Sequence, residues 1–507
     1  MHRKQKDNAD EYFSIAHLKS NLKDRTIKST AISLMAQAIK LVLQLCFIAI
    51  FARLLEPSDF GLIAMITIFT TLGMTIMEGG LSMATIQRET ITHAQVSNLF
   101  WVNLTLGAFI TTIAILVSPI ISWIYNEPRL ILIMTALSVS FIVGSLSIQH
   151  EAILKRHMRF KALSFIDVSS LTIGNCAGVL AALNNLGYWA LVYIPITTYI
   201  IKIALCWWMV DWRPSSFTTK SGTKPLLGFG IDLTAGNFIT YFTNNITPFL
   251  LGFLGGAHFL GLYNRSFNLA SIPKAQALMP VMKVLQSTLA RVATDPERLR
   301  KYSLSIMSKI AIVTMLISLI MFLSAEWIII ILLGDSWEEA VPILQLLAIA
   351  TIATPITILT ATVLVAVGET RALLKWKIIT LTILLIAVAI GSNWGVWGVL
   401  WGATLSAVLI RVPLFFIYAE KYQPVKAKEF AGVVLPPIIF VILIALTLKL
   451  VGNYYFLGDL FSVFVLYFVA IPIVYFALCV LFKTTRKEII DLINLVKSYL
   501  NRASLEN

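Results

Sequence analysis

The sequence predicts an all-α, polytopic membrane protein of about fourteen transmembrane helices, built as two six-helix lobes in parallel repeat plus two additional C-terminal helices. Three observations predict it. Hydrophobic residues make up 58 % of the 507-residue chain and charged residues 13 %, where an ordinary soluble domain is about a quarter charged. Apolar stretches near twenty residues recur along the chain, each long enough for the roughly 30 Å hydrocarbon core. The third observation is where the basic residues fall.

The apolar stretches lie at about 31–52, 60–86, 95–118, 130–149, 163–184, 188–209, 228–254, 259–284, 303–325, 341–367, 376–392, 396–418, 431–451 and 459–482. Pro57, Pro128, Gly187, Pro225, Gly368 and Gly395 mark several ends, and Gly255–Gly256 is the break between the seventh and eighth. With the N-terminus inside and the spans alternating, thirty of the forty Lys and Arg fall on the inner side. Three fall outside (Arg53, Arg129, Lys449) and seven within spans. A miscounted span would scramble this segregation downstream of the error, so the even count and two cytoplasmic termini follow.

The expected organisation is a basic cytoplasmic tail at 1–30, an N-lobe at 31–210 and a cytoplasmic linker at 211–227. A C-lobe at 228–418, two extra helices at 431–482 and an amphipathic tail at 483–507 complete it. The first span follows a polar, basic stretch, is too long for a signal-peptide core and lacks a small-residue cleavage site, so it reads as a retained anchor. The run Thr294-Asp295-Pro296-Glu297 carries a helix-start signal and is expected to open a short surface helix between spans. In the C-terminal tail Ile489, Ile493, Val496 and Leu500 recur at helical spacing beside Lys483, Arg486 and Lys487. That pattern suits a helix lying on an anionic membrane surface or one that binds a partner.

Several function classes drop out. The net charge of +14 is spread over short connectors rather than gathered on a folded domain, so nucleic acid is not an expected partner. The four cysteines (Cys46, Cys176, Cys206, Cys479) sit far apart inside apolar runs with no metal-ligand spacing, and no metal or other cofactor is expected. No connector exceeds roughly twenty residues, which leaves no room for a catalytic domain. A membrane polymerase or glycosyltransferase would need a large outer loop, and Asp335-Ser336-Trp337-Glu338-Glu339 is the only acidic candidate. The chain is not expected to be an enzyme.

Two segments echo each other. Leu54-Leu55-Glu56-Pro57-Ser58-Asp59-Phe60-Gly61-Leu62 after the first span is matched by Leu254-Gly255-Gly256-Ala257-His258-Phe259-Leu260-Gly261-Leu262 after the seventh. Asn185-Leu186-Gly187-Tyr188-Trp189-Ala190 is matched by Asn393-Trp394-Gly395-Val396-Trp397-Gly398. Glycine and tryptophan recur at any membrane interface, but both echoes in the same order point to a six-helix duplication. An even-numbered repeat keeps its orientation, so the lobes should be related by an axis along the membrane normal.

The stretch Ala52-Arg53-Leu54-Leu55-Glu56-Pro57-Ser58-Asp59-Phe60-Gly61-Leu62 resembles a signature of bacterial Wzx-type polysaccharide and lipopolysaccharide biosynthesis flippases, within the multidrug/oligosaccharidyl-lipid/polysaccharide exporter superfamily. Gln87-Arg88-Glu89, Leu154-Lys155-Arg156, Gly187-Tyr188-Trp189-Ala190-Leu191, Gly261-Leu262-Tyr263, Asp295-Pro296-Glu297-Arg298-Leu299 and Ala340-Val341-Pro342 extend it along the chain. The resemblance implies a two-lobed flippase of the bacterial cell membrane. It would carry undecaprenyl-diphosphate-linked oligosaccharide from the inner to the outer leaflet by alternating access, with membrane lipids and other polysaccharide-assembly proteins as partners. A multidrug or small-metabolite exporter of the same superfamily is the alternative. One departure stands out: where similar family members carry an Arg-Asn-x-Asp run, this chain has Asn244-Asn245-Ile246-Thr247, so no charged role carries over there.

An ionisable residue in mid-span costs on the order of 2.5–3.5 kcal/mol on insertion scales and so normally faces protein or water. Lys283 and Lys309 lie near inner ends, where they can snorkel. Lys40, Arg265 and Lys274 are the leading candidates to line a central cleft. Lys202 and Arg411, about two turns from their inner ends, either snorkel or face the interior. The cationic excess suits a diphosphate better than a cationic drug. Glu78, Asp167 and Asp232 are candidate coupling sites, Glu78 foremost, with structural ion pairing as the competing role.

Overall fold

In lipid a backbone N–H or C=O has no water to bond, so an apolar chain that crosses must satisfy every such group within its own helix. The computed structural model follows that rule. It describes Phe13 and residues 22–78, 81–88, 90–218, 224–452, 466–481 and 485–491, with no β-strand among them. Eleven helical stretches among the described residues are long and apolar enough to cross a membrane, or twelve counting a bent pair near the C-terminus.

In chain order the first helices are α1 (Leu22–Leu54), α2 (Pro57–Glu78), α3 (Leu81–Gln87), α4 (His93–Tyr125), α5 (Arg129–Arg156), α6 (Phe160–Leu183), α7 (Trp189–Met209) and α8 (Lys224–Val292). Within the expected span at 60–86, the described residues form α2 and the seven-residue α3. Then come α9 (Pro296–Leu323), α10 (Ala325–Leu332), α11 (Val341–Thr351), α12 (Ala353–Ala366), α13 (Thr370–Gly391), α14 (Gly395–Leu405), α15 (Val412–Ala419), α16 (Ala427–Gly452) and α17 (Ile471–Leu481). A π-helical stretch, Ser406–Arg411, joins α14 to α15.

Local chemistry sets the boundaries. Thr92 caps α4 in a capping box, its Oγ1 accepting from Gln95 N at 3.3 Å while Gln95 Oε1 accepts from Thr92 N at 3.1 Å. Asp295 caps α9 and accepts from Arg298 N at 3.1 Å, with Pro296 in the first turn. The signal at Thr294–Glu297 therefore opens the long apolar helix Pro296–Leu323 itself, not the short surface helix expected. In the turn between α4 and α5, Glu127 accepts from Arg129 at 2.8 and 2.7 Å, which holds its carboxyl below the usual carboxylate range.

The chain folds as two compact units, residues 1–261 with 332–334, and residues 262–331 with 335–507. In the first unit α6 and α7 form an antiparallel hairpin that turns at Asn185 and Gly187, both in left-handed conformation (φ 58° and 52°). Small residues let the backbones meet. A Cβ on Gly174 would lie 2.9 Å from the Ile194 carbonyl, and one on Gly178 would lie 3.0 Å from that of Ala190.

The chain also turns back at Gly256 (φ 67°), so that Leu260 reaches a point 3.0 Å from where a Gly252 Cβ would sit. There the two echoed segments cross reciprocally. Gly61 presses on the Ala257 carbonyl, and Gly261 on that of Pro57. Residues 57 and 61 in one segment thus meet 261 and 257 in the other, the self-complementary pattern of a two-fold contact. Tyr241 fastens the α8 segment ahead of this turn by donating to the Ile68 carbonyl.

In the second unit α13 and α14 form an equivalent hairpin, turning at left-handed Gly395 (φ 66°), the echo of Gly187. Gly391 and Gly398 pack backbone to backbone there, and a Cβ on Gly402 would lie 2.6 Å from the Ala387 carbonyl. Around α9 the core gathers Met307, Ala311, Met315, Phe416 and Phe430, the last two stacked at 4.7 Å. Arg300 of α9 binds Glu429 of α16 through both carboxylate oxygens, Nε lying 3.0 and 3.2 Å away.

The C-terminal segment departs from expectation. Helix Thr485–Asp491 bends 117° away from Tyr467–Leu481. Ile489, expected to face lipid or a partner, is 4 % exposed in the protein core. Ile493, Val496 and Leu500 lie outside the described residues.

Candidate functional site

Four helices of the first unit carry a chain of alternating charges. Lys40 of α1 places Nζ 2.6 Å from Asp167 Oδ2 of α6. Lys202 of α7 lies 3.9 Å from Asp167 Oδ1 and 2.7 Å from Glu151 Oε1 of α5. Lys155, one turn along α5, reaches Glu151 Oε2 at 3.8 Å, and the buried Ser147 lies 3.4 Å from Glu151 Oε1. The group holds three ammonium and two carboxylate groups, so one positive charge is left over.

Lys40 and Lys202 are therefore not the unopposed cations that a wet cleft suggests. Asp167 lies between the two ammonium groups, bonded to Lys40 and 3.9 Å from Lys202. Glu151 holds Lys202 across the helix interface at 2.7 Å. Sequence reading passed over Glu151 because the apolar run ends at 149, whereas α5 runs on to Arg156. The i,i+4 spacing of Glu151 and Lys155 was the available signal.

Arg411 behaves differently. It closes the π-helical stretch Ser406–Arg411, half-buried, and its Nη2 donates to the Ala403 carbonyl at 3.0 Å. That carbonyl lies back along the helix, away from the nearer end at Ala419. At about 1.5 Å per residue, Ala403 is about 12 Å from Gly395 and about 24 Å from Ala419. The guanidinium thus reaches back along the helix toward Gly395 rather than toward Ala419. No carboxylate pairs with it among the described residues, and its Nε is buried with no acceptor. A π-turn inside an α-helix is itself a frequent mark of a functional position.

Arg265 lies in the second half of α8, in the same unit as Arg411, between Asn264 and the buried Ser266, which donates to the Ala340 carbonyl at 3.3 Å. Lys309, expected to snorkel, pairs with Glu488 at 2.8 Å, and Ser305 donates to the same carboxylate at 2.7 Å. A cavity of about 420 Å³ opens beside this pair, lined in part by Tyr302, Ser308, Lys487 and Asp491. Lys274, Lys283, Glu78 and Asp232 have side chains outside the described residues. In the Asn244–Thr247 run, Asn245 bonds its own helix, donating to the Tyr241 carbonyl at 2.8 Å. Among the described residues no cluster of three His, Cys, Asp or Glu could hold a metal ion.

The family described as "Polysaccharide biosynthesis protein" matches residues 50–342, more than half of the chain. The chain belongs to that family. Similar polysaccharide biosynthesis proteins include the lipopolysaccharide biosynthesis protein WzxC of Escherichia coli strain K12, 24 % identical over 78 % of this chain and 81 % of that protein. An uncharacterized membrane protein in the cps region of Klebsiella pneumoniae is 30 % identical over 65 % of this chain and 69 % of its own length. Among solved structures, the lipid II flippase MurJ in an inward closed conformation covers 90 % of this chain and 99 % of its own, with a TM-score of 0.69 at 13 % identity. At that identity the likeness shows the fold alone. This polysaccharide biosynthesis protein is thus a multi-pass membrane protein with the fold of a flippase.

Proposed function

We propose that the chain flips a lipid-linked oligosaccharide, with an undecaprenyl diphosphate carrier, from the inner to the outer leaflet by alternating access for cell-surface polysaccharide assembly. Both termini face the cytoplasm, and the lobes are the repeat halves read from the sequence. The observation that carries the reading is Arg411: a guanidinium turned back along its span, with a buried Nε that finds no acceptor and no paired carboxylate among the described residues. Keeping such a group in a membrane is costly unless an anion completes it. A diphosphate does so with charge-assisted, geometrically paired hydrogen bonds. Arg265 and Lys274 add positive charge to the same task. Lys40 and Lys202, tied to Asp167 and Glu151, set the conformation of the N-lobe and exchange partners during the cycle. A cationic drug finds little to bind in such a set, which favours the glycan carrier over the multidrug alternative.

The test is genetic and chemical. Deleting the gene should remove surface polysaccharide and accumulate its lipid-linked precursor. Arg411→Ala should restore membrane insertion but not polysaccharide, with Arg411→Lys recovering part of it. Normal precursor turnover in the deletion strain would sink the assignment. Full activity of Arg411→Ala would remove this residue from it.

A further inference from the structure

One residue ahead of the first helix is among the most deeply buried in the first unit. Phe13 is 1 % exposed and belongs to an apolar cluster with Ile91, Val96, Ile153 and Leu154. Its ring meets His93 edge-on at 6.2 Å, and His93 lies 6.0 Å from Trp212. Its carbonyl accepts from Arg156 Nε at 2.9 Å. The same guanidinium, in a residue 4 % exposed, donates from Nη1 to the Thr85 carbonyl at 2.9 Å and the Arg88 carbonyl at 2.6 Å. One buried arginine thus joins the chain ahead of α1, the end of α3 and the end of α5.

A buried guanidinium is tolerated only when its donors are filled. Here backbone carbonyls accept from Nε and from both Nη1 hydrogens, and one of them comes from the N-terminal tail. α3 needs this anchorage, because seven residues are far too few to hold a helix by themselves. A second tie is Thr85 Oγ1 donating to Gln149 Oε1 at 2.8 Å. Withdrawing the tail would strip an acceptor from Arg156 and open an apolar hole beside His93; truncating the Phe13 side chain opens the hole alone.

We infer that this end of the first unit is a peptide-docking site that recognises an aromatic side chain together with its own backbone carbonyl, occupied by the chain's N-terminal tail through Phe13, and that occupancy clasps α3 to α5. The site is independent of the transport assignment, because it is defined by contacts within the first unit alone. A tethered occupant works at an effective concentration in the millimolar range, so weak intrinsic binding suffices to keep the site filled. Release of the tail frees α3 without unfolding the helices around it.

Full-length protein in lipid nanodiscs and a fluorescein-labelled peptide of residues 5–21 test this. Wild type, its site already filled, should bind the peptide weakly. Phe13→Ala should bind it saturably and at least tenfold more tightly, and Phe13→Ala with Arg156→Gln should lose that gain. In hydrogen exchange, Phe13→Ala should raise exchange across residues 81–88 by about tenfold, equivalent to about 1.4 kcal/mol. Added peptide should restore protection, a rescue that a residue acting only as core packing does not permit. Phe13→Leu, which keeps most of the volume, should fold as wild type and show an intermediate response if Phe13→Ala aggregates. A folded Phe13→Ala or Phe13→Leu chain that binds peptide no better than wild type, or keeps wild-type exchange in α3, overturns the inference.

Discussion

Replacing Gly61 with alanine would put a methyl group into the seam where the two echoed segments cross. The new Cβ would overlap the Ala257 carbonyl and lie 2.8 Å from the Ala257 Cα, where carbon atoms in van der Waals contact settle at roughly 3.5–4.0 Å. The obstacle is backbone and cannot rotate aside, so the seam must open by about 1 Å. Overpacking of this kind costs about 1–3 kcal/mol, and the packing forfeited along an opened seam pushes the value to the upper end. Gly261→Ala strains the same seam from the other side, against the Pro57 carbonyl. Because the two changes act on one seam, the double variant should lose less than the sum of the singles. Gly432→Ala is the control: it lies within α16, and its added Cβ would meet nothing within 4 Å. There alanine should stabilise the helix by up to about 1 kcal/mol. Thermal unfolding of purified protein in nanodiscs should place Gly61→Ala and Gly261→Ala below wild type and Gly432→Ala at or above it. Equal melting of Gly61→Ala and Gly432→Ala would refute the seam.

The ion chain in the first unit predicts compensation. Lys40→Ala leaves Asp167 with only Lys202, 3.9 Å away, and should destabilise by about 1 kcal/mol, the scale for partly exposed pairs. Adding Asp167→Asn should recover most of that loss in the same melting assay, whereas a deeper loss in the double variant would contradict the pairing. Glu488→Gln should weaken the hold of Lys309 and Ser305 on the last described helix, read as faster tryptic cleavage at Lys487 with the rest of the chain intact. Glu127 carries a pH signature. Its folded carboxyl titrates below the usual range because Arg129 binds the ionised form, so its contribution is present at neutral pH and is lost as pH falls through the folded value. The stability gap between wild type and Glu127→Gln should therefore be under about 1 kcal/mol at pH 7 and should shrink only as pH falls below the ordinary glutamate range, through the lowered folded value.

Most of the helical architecture was legible from the chain alone, because the hydrocarbon core imposes a length and a composition that a linear pattern records directly. The turn glycines were legible too: Gly187, Gly256 and Gly395 all adopt the left-handed conformation that their place between apolar runs suggests. The C-terminal helix was not: its spacing fits a lipid-facing stripe as well as the protein-facing one that Ile489 shows.

The charges divide the same way. By itself the sequence determined that Lys40, Lys202, Arg265 and Arg411 lie in membrane-spanning runs and need compensation, because insertion cost depends only on residue type and depth. Which of them already have it was decided by tertiary structure alone. Asp167 is 127 residues from Lys40 and Glu151 is 51 from Lys202, so no helical period relates them; only the packing of α1, α5, α6 and α7 brings their oxygens within bonding distance. Arg411 is the converse case. The fold gave it a backbone carbonyl and, among the described residues, no acid, and because Coulomb interactions fall with distance and dielectric, a remote carboxylate compensates it little.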